Sequence, residues 1–255
     1  MPALRRTIGL FALSAFAVVA APTAGAQTPT VTSVIGAADG LTVALEIDPV
    51  VGDPAALTFG PEPTVTLPPT GGSVSEQVLG VDESAAFVSL TAALLRTSAE
   101  GAIGPAGFAT AESTVADIAL DELDSLLLGG VLAAEAITAT CAADLDGVSG
   151  STTLVGASVL GTALEAEPEP NTELTVTLPG TIAEVGVTLN RQVENPDGSL
   201  SVTALVLEID VGEGVFTGTL AIGPATCGVF EGLTEPAEEL VPAQPVPAAQ
   251  VRFTG

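Results

Sequence analysis

Histidine, lysine, tryptophan and tyrosine are all absent from this sequence of 255 residues. Without histidine, neither a Ser-His-Asp or Cys-His nucleophile nor a histidine-based metal site can form. Without lysine, Ser-Lys catalysis, Schiff-base chemistry and Lys–Asn isopeptide crosslinks are excluded. Sugar-binding surfaces usually stack their ligands on tryptophan or tyrosine rings, and the 8 phenylalanines are expected in the core. The composition therefore predicts a protein that is not an enzyme and that carries no cofactor.

Basic residues are scarce as well, because five arginines stand against 31 acidic residues, for a formal net charge of −26. Such a field repels phosphates, so nucleic acid and anionic lipid surfaces are excluded as partners. Cations and basic partners are compatible with it, although most carboxylates are expected to form a solvated surface. A hydrolase that uses two carboxylates is the alternative function that survives, but the sequence marks no two acids as partners.

The first 26 residues have the pattern of a secretory signal peptide. Two arginines precede an apolar run at residues 10–21, and a small-x-small cleavage site ends at Ala26, which makes Gln27 the first mature residue. The alternative is an N-terminal membrane anchor, but the run is shorter than the roughly 20 residues of a span. We expect a secreted, extracellular protein that associates with the cell surface through an unknown partner, with no membrane span after cleavage and no anchor of its own.

Two cysteines, Cys141 and Cys227, are the only ones in the chain. An even number of cysteines in an exported protein predicts a disulfide, and two free buried thiols are the alternative. Because the bridge would close a long loop, the chain-entropy model gives on the order of 4–5 kcal/mol of stabilisation.

Plentiful glycine, proline, threonine and valine, with short apolar runs cut by turn signals, predict an all-β fold of antiparallel, sandwich-like sheets. The clearest hairpin runs from residue 185 to residue 210 around an Asn-Pro-Asp-Gly turn at 195–198. Its return strand, 200–209, is apolar on both faces, which predicts a central strand that is covered on both sides. Further strands are expected at 173–178, 215–222 and 225–230.

Four segments are predicted along the chain. They are the signal peptide at 1–26, an N-terminal β segment at 27–80 that can belong to the same domain, a β domain with the disulfide at 81–232, and a Pro- and Glu-rich tail at 233–255 that is expected to be extended or disordered. Residues 39–48 resemble 197–210, so a duplicated β unit and chance similarity are both open. Strands are favoured through 85–136, with a short helix near 117–128 as the alternative.

Asp144 and Asp146 alternate before a glycine, as carboxylates do in many calcium loops. The later glutamate at EF-hand spacing is missing, and an acidic turn after a strand explains the pattern more simply. The pair is therefore a weak metal candidate, and a calcium-dependent binding module is a further alternative function.

The second half of the chain resembles the choice-of-anchor P family of secreted actinobacterial surface proteins over about residues 80 to 230. The segments that carry the resemblance are 137–141, 147–151, 156–161, 170–172, 187–192, 202–205 and 225–229. Its best part is the Leu-Asn-x-Gln strand that ends at Gln192, together with the two cysteines. Arg191 stands where the family often has Glu, and Thr203 where it often has Asn.

The resemblance implies export, β structure and the cysteine pair, and it implies no catalytic residue, because the molecular function of the family is undefined. Members differ in how they attach to the envelope. The function that we predict is an exported, non-catalytic protein of the cell envelope or extracellular matrix.

Overall fold

Segments with a two-residue apolar period form thirteen β-strands, and no helix is present among the residues that the structure describes. The computed structural model describes residues 28–48, 53–86, 88–122, 130–177, 184–211 and 216–234. In chain order the strands are β1 (Thr28–Ile47), β2 (Ala55–Thr66), β3 (Gly71–Ala85), β4 (Val88–Ala102), β5 (Phe108–Glu122), β6 (Leu132–Asp144), β7 (Gly147–Val155), β8 (Ser158–Val159), β9 (Thr162–Ala163), β10 (Thr172–Thr177), β11 (Glu184–Glu194), β12 (Leu200–Val211) and β13 (Phe216–Thr234).

The strands form two antiparallel sheets that pack against each other. The six-stranded sheet has the order β10–β11–β12–β13–β1–β2, and the seven-stranded sheet has the order β3–β4–β5–β6–β8–β9, with β7 also paired to β6. Strand β1 faces β4 and β5, and β13 faces β5 and β6. The predicted all-β sandwich is therefore confirmed.

Leucine, isoleucine, valine and alanine fill the space between the sheets. The largest fully buried side chains are Leu41, Leu45, Ile47, Leu90, Leu95, Ile118, Leu120, Leu132, Ile137, Leu189, Leu205 and Leu207. Each such side chain contributes about 1.5–3 kcal/mol of burial free energy. Among the described residues, aromatic rings contribute little to the core, because Phe216 is buried while Phe59, Phe108 and Phe230 are only half-buried.

In each sheet, the alternation of inward and outward side chains breaks at one point along the strands, and these points lie side by side at one level across the sheet. In the six-stranded sheet this level carries Gly60, Asn190 and Gly223, and in the seven-stranded sheet Gly80 and Asp117, all with positive φ. A residue in the left-handed region breaks the alternation of the pleat, so residues on either side of it can face the same way. We call this level the reversal line.

The reversal line corrects the prediction for β12. This strand is central in its sheet, but it is covered on one face only. Val202 and Ala204 face the core before the reversal, and Leu205, Leu207 and Ile209 face the core after it. The sequence pattern of a strand that is apolar on both faces arises because the strand changes its inward face partway along its length.

The helix considered near 117–128 is not present in the described part of that range, because residues 117–122 belong to β5. Ile118 and Leu120 alternate into the core with the period of a strand, and this burial outweighs the helix propensity of the alanines and leucines. Residues 123–129 lie outside the described residues.

The segment at 27–80 supplies strands to both sheets, since β1 pairs with β13 and β3 pairs with β4. Residues Thr28–Thr234 form one compact unit. The two segments that resemble each other lie in β1 and β12 of the same sheet, and each is followed by a Gly-Pro step whose glycine, Gly60 or Gly223, has positive φ. The duplication stays a prediction. The signal peptide lies outside the described residues. The tail predicted at 233–255 begins two residues too early, because Leu233 and Thr234 end β13, and its remainder lies outside the described residues.

Candidate functional site

Cys141 on β6 and Cys227 on β13 form a disulfide that links the two sheets through the core. Their Cα atoms are 5.7 Å apart, which is an ordinary separation for a disulfide, and both residues are buried. The predicted pairing is confirmed. Because both thiols are consumed, neither cysteine can act as a nucleophile or as a metal ligand.

The Asn-x-Gln pair of β11 forms a buried polar network. The Asn190 side chain donates to the Pro168 carbonyl at 2.9 Å and accepts from the Thr152 hydroxyl at 3.3 Å and from the Gln192 amide at 3.0 Å. Gln192 also donates to the Gly150 carbonyl at 2.9 Å. These bonds fasten β7 and the segment before β10 to the six-stranded sheet. The motif singled out in the sequence therefore has a structural role here.

The predicted turn at 195–198 connects β11 to β12, and side chains hold it together. Asn195 donates to the hydroxyls of Ser199 at 2.9 Å and Ser201 at 3.0 Å. The Asp197 carboxylate accepts from the Ser199 hydroxyl at 2.7 Å and from its backbone N–H at 3.0 Å. The hydrogen bond from the hydroxyl, followed by the one from the backbone, lowers the pKa of Asp197 below its usual value of 3.8.

Asp144 and Asp146, the weak metal candidates, lie at the two-residue turn between β6 and β7. The Asp144 carboxylate accepts the backbone N–H of Asp146 at 2.8 Å, which is the local bond of an aspartate at a turn. No group of three or more potential metal ligands occurs among the residues that the structure describes.

The outward side chains of β3–β7 form a broad surface that we call the hydroxyl face. Three polar rows cross it in register: Ser73–Glu100–Thr110–Ala142–Ser149, Ser75–Ser98–Glu112–Thr140–Ser151 and Gln77–Arg96–Thr114–Thr138–Thr153. Neighbouring hydroxyls bond across strands, Thr114 with Thr138 at 3.2 Å and Thr140 with Ser151 at 2.8 Å. A fourth row, Leu79–Leu94–Ala116–Ala136–Val155, is apolar.

A shallow depression of about 540 Å³ lies in the middle of the hydroxyl face. Arg96, Glu100 and Glu112 border it together with serine and threonine hydroxyls. Arg96 is one of two basic side chains that the structure describes, and Arg191 is the other. The depression offers charges of both signs and many hydroxyls, so it suits weak polar contacts over a wide area.

Two carboxylates lie beside a second shallow depression, on the outer face of the six-stranded sheet. Glu208 on β12 is in register with Gly186 on β11, whose missing side chain leaves the space beside Glu208 open. Glu173 lies on β10 opposite Thr188 and borders the same depression. Both glutamates are exposed to solvent. The sequence alone did not bring these two carboxylates together, because they lie 35 positions apart.

No protein-family model matches the chain, and no curated protein or solved structure shows significant similarity to it. The resemblance to the choice-of-anchor P family therefore stays a prediction. In the described part of the chain, no helical segment has the length and hydropathy that a bilayer span requires.

Proposed function

We propose that this chain is an exported, non-catalytic protein of the cell envelope or extracellular matrix that binds its partner through its β surface. The hydroxyl face carries the proposal. It presents three in-register rows of mainly polar side chains across five strands, and most of these side chains are serine or threonine. Such a surface buries little of a small substrate, but it can contact a macromolecule over a large area.

One observation supports export. The inter-sheet disulfide is compatible with an oxidising compartment, where such bonds persist. A mature protein that begins at Gln27 would contain all of the described sandwich.

The non-catalytic part of the proposal rests on the missing side-chain types and on the shape of the surface. Histidine and lysine are absent, and the disulfide consumes both thiols. The second candidate function is a carboxylate-dependent hydrolase, which the presence of Glu173 and Glu208 at one depression favours. Turnover that disappears in a Glu173→Gln, Glu208→Gln variant, but persists in a variant with the same change at Glu76 and Glu83, would replace the non-catalytic proposal.

The deciding experiment is the partition of the native protein between culture fluid and cell envelope, with the intact mass of the mature form. Envelope-bound protein that starts at Gln27 supports the proposal, whereas protein found wholly in the fluid contradicts envelope retention.

A matched pair of variants then tests whether the hydroxyl face is the binding surface. Ser98→Arg with Glu112→Arg alters a cross-strand pair on the hydroxyl face, and Thr219→Arg with Glu208→Arg makes the same charge change on the other sheet. We expect only the first variant to lose retention.

A further inference from the structure

Besides the two-residue strand β9, four strands of the described sandwich lie at a sheet edge, and three of them are protected against pairing with another strand. Strand β2 contains Pro61 and Pro63, which have no backbone N–H to donate. The edge of β7 is covered near its C-terminal end, because the N–H of Leu154 donates to the carbonyl of Ala166 at 2.8 Å. Strand β10 has only six residues. Natural proteins use such devices to prevent association at sheet edges.

Strand β3 is the fourth edge, and it differs from the other three in length and composition. It has fifteen residues and no proline, and among the described strands it pairs only with β4. The backbone groups on its other side are thus free for a further strand in the part of the chain that the structure describes. Gly80 has positive φ, so the side-chain alternation of β3 breaks there, but the pairing with β4 continues on both sides.

The side chains of β3 show which kind of strand would fit. Glu76, Asp82 and Glu83 are exposed carboxylates on this edge. Leu79 lies between them with 69% of its surface exposed, the largest exposure recorded for a large apolar residue in the described chain. Leu79 is also the end of the apolar row of the hydroxyl face, so a strand that pairs with β3 would extend that row with an apolar residue of its own.

We propose that the β3 edge binds an extended, basic segment of a partner protein by strand addition. This inference rests on the proposed partner-binding function and names the partner's chemistry. Backbone hydrogen bonds to β3 would supply the affinity, and alternate side chains would supply the specificity. The edge would select a partner strand that has basic residues opposite Glu76, Asp82 and Glu83 and an apolar residue opposite Leu79.

Charge distinguishes this partner from a second copy of the chain. Each copy has a formal net charge of −26, and a β3–β3 pairing would place six carboxylates on one two-stranded ribbon. The same carboxylates that oppose self-association attract a basic strand, so they favour a basic partner over a second copy of the chain. The chain itself has no lysine to offer, which is consistent with a partner that comes from outside.

The test uses the mature protein and the synthetic peptide Thr-Lys-Lys-Val-Gly-Val-Val-Thr-Lys-Thr, which pairs antiparallel with residues 75–84 in the register described above. We expect binding at 0.1 M salt, with slower amide exchange in β3 and unchanged exchange in β2 and β10. Methylating alternate peptide nitrogens on the pairing edge should weaken binding at least about tenfold, because it removes the backbone bonds but keeps the charge. A peptide with glutamate in place of lysine should not bind.

Two variants with equal charge changes distinguish specific peptide binding at the β3 edge from general electrostatic attraction. Glu76→Gln, Asp82→Asn and Glu83→Gln together should weaken binding, by up to about fivefold per pair. Glu46→Gln, Glu208→Gln and Asp210→Asn, on the outer face of the other sheet, should change peptide binding by less than about twofold.

Equal losses of binding in both variants, or binding that survives N-methylation of the peptide, would overturn the proposal. So would a dimer through β3 without peptide. An envelope-retained protein that does not bind the peptide overturns this inference alone and leaves the proposed function standing.

Discussion

Thr97 on β4 and Ser113 on β5 face each other in register on the inner side of the seven-stranded sheet. Both residues are fully buried, and neither side-chain hydroxyl has a hydrogen-bond partner among the described residues. A buried hydroxyl without a partner costs about 1–3 kcal/mol relative to solvent. The pair is thus a weak point in a core that is otherwise apolar around it.

Replacing both residues, Thr97→Val with Ser113→Ala, is expected to leave the free energy of unfolding unchanged or to raise it by about 1–2 kcal/mol. Urea unfolding followed by circular dichroism measures this. The control is Thr152→Val, because that hydroxyl donates to Asn190 and its removal should cost about 1 kcal/mol. A double variant that is less stable than the natural protein would show that the two hydroxyls are bonded to each other or to a trapped water.

The disulfide should account for much of the stability. Reducing the Cys141–Cys227 bond frees a loop whose ends lie 86 residues apart, so the chain-entropy model predicts a loss of about 4–5 kcal/mol. Urea midpoints with and without reductant measure the loss. The Cys141→Ala, Cys227→Ala variant is the control, since reductant should have no effect on it. A reduced protein with the midpoint of the oxidised one would contradict the prediction.

Local patterns were sufficient to predict the sandwich and the hairpin around Asn195, because turn chemistry and a two-residue period act over a few residues. The same patterns gave the wrong environment for β12. Val202 and Leu205 look like residues of opposite faces, and both face the core because the side-chain alternation breaks at the reversal line. A break that is shared by neighbouring strands depends on pairing between distant segments, which a single strand does not encode.

The candidate surfaces were harder to predict for the same reason. Glu173 and Glu208 border one depression only because β10 and β12 lie on either side of β11. The rows of the hydroxyl face likewise join residues from five strands, and in the sequence each strand shows only a few scattered serines and threonines. The role of Gln192 as part of a buried network required the partner Gly150, 42 positions earlier in the chain.

Asn190 combines a buried, hydrogen-bonded side chain with a left-handed backbone, φ being 49°. Its replacement by alanine should cost about 3 kcal/mol, because the groups that it now bonds are left without partners in the core. Asn190→Gly loses the same side-chain bonds, but glycine adopts the left-handed backbone without strain. Its free energy of unfolding should therefore be about 1 kcal/mol higher than that of Asn190→Ala. Thermal and urea unfolding of the two variants measure the difference.

Loss of the network at Asn190 should destabilise one segment of the chain before the rest. Amide exchange should accelerate first in residues 164–171, since the bond to the Pro168 carbonyl holds that segment. Asn195→Ala is the matched control, because its partners lie in a partly exposed turn where water can replace the lost bonds. Equal stability losses in the two asparagine variants would argue against a special role for the buried network.

Asp197 should make the hairpin turn sensitive to acid. Its hydrogen bonds from Ser199 hold the pKa of the folded carboxyl below the value of the unfolded chain, which is near 3.8. The folded state therefore binds its proton less readily, and the contribution to stability is complete above that unfolded value. It is lost as the pH falls through the lower, folded pKa. Unfolding midpoints between about pH 5 and pH 2 should fall less steeply in Asp197→Asn than in the natural protein.

Ser199→Ala distinguishes the cause. It removes the stronger of the two bonds and keeps the backbone N–H, so the pKa of Asp197 should rise part of the way towards its ordinary value, as measured by NMR titration of the carboxyl carbon. Asp82→Asn, a change at an exposed carboxylate on β3, is the control and should leave the titration of Asp197 where it was. A pKa of Asp197 that does not move in Ser199→Ala would mean that the turn backbone, rather than the serine hydroxyl, sets the proton affinity of this carboxylate.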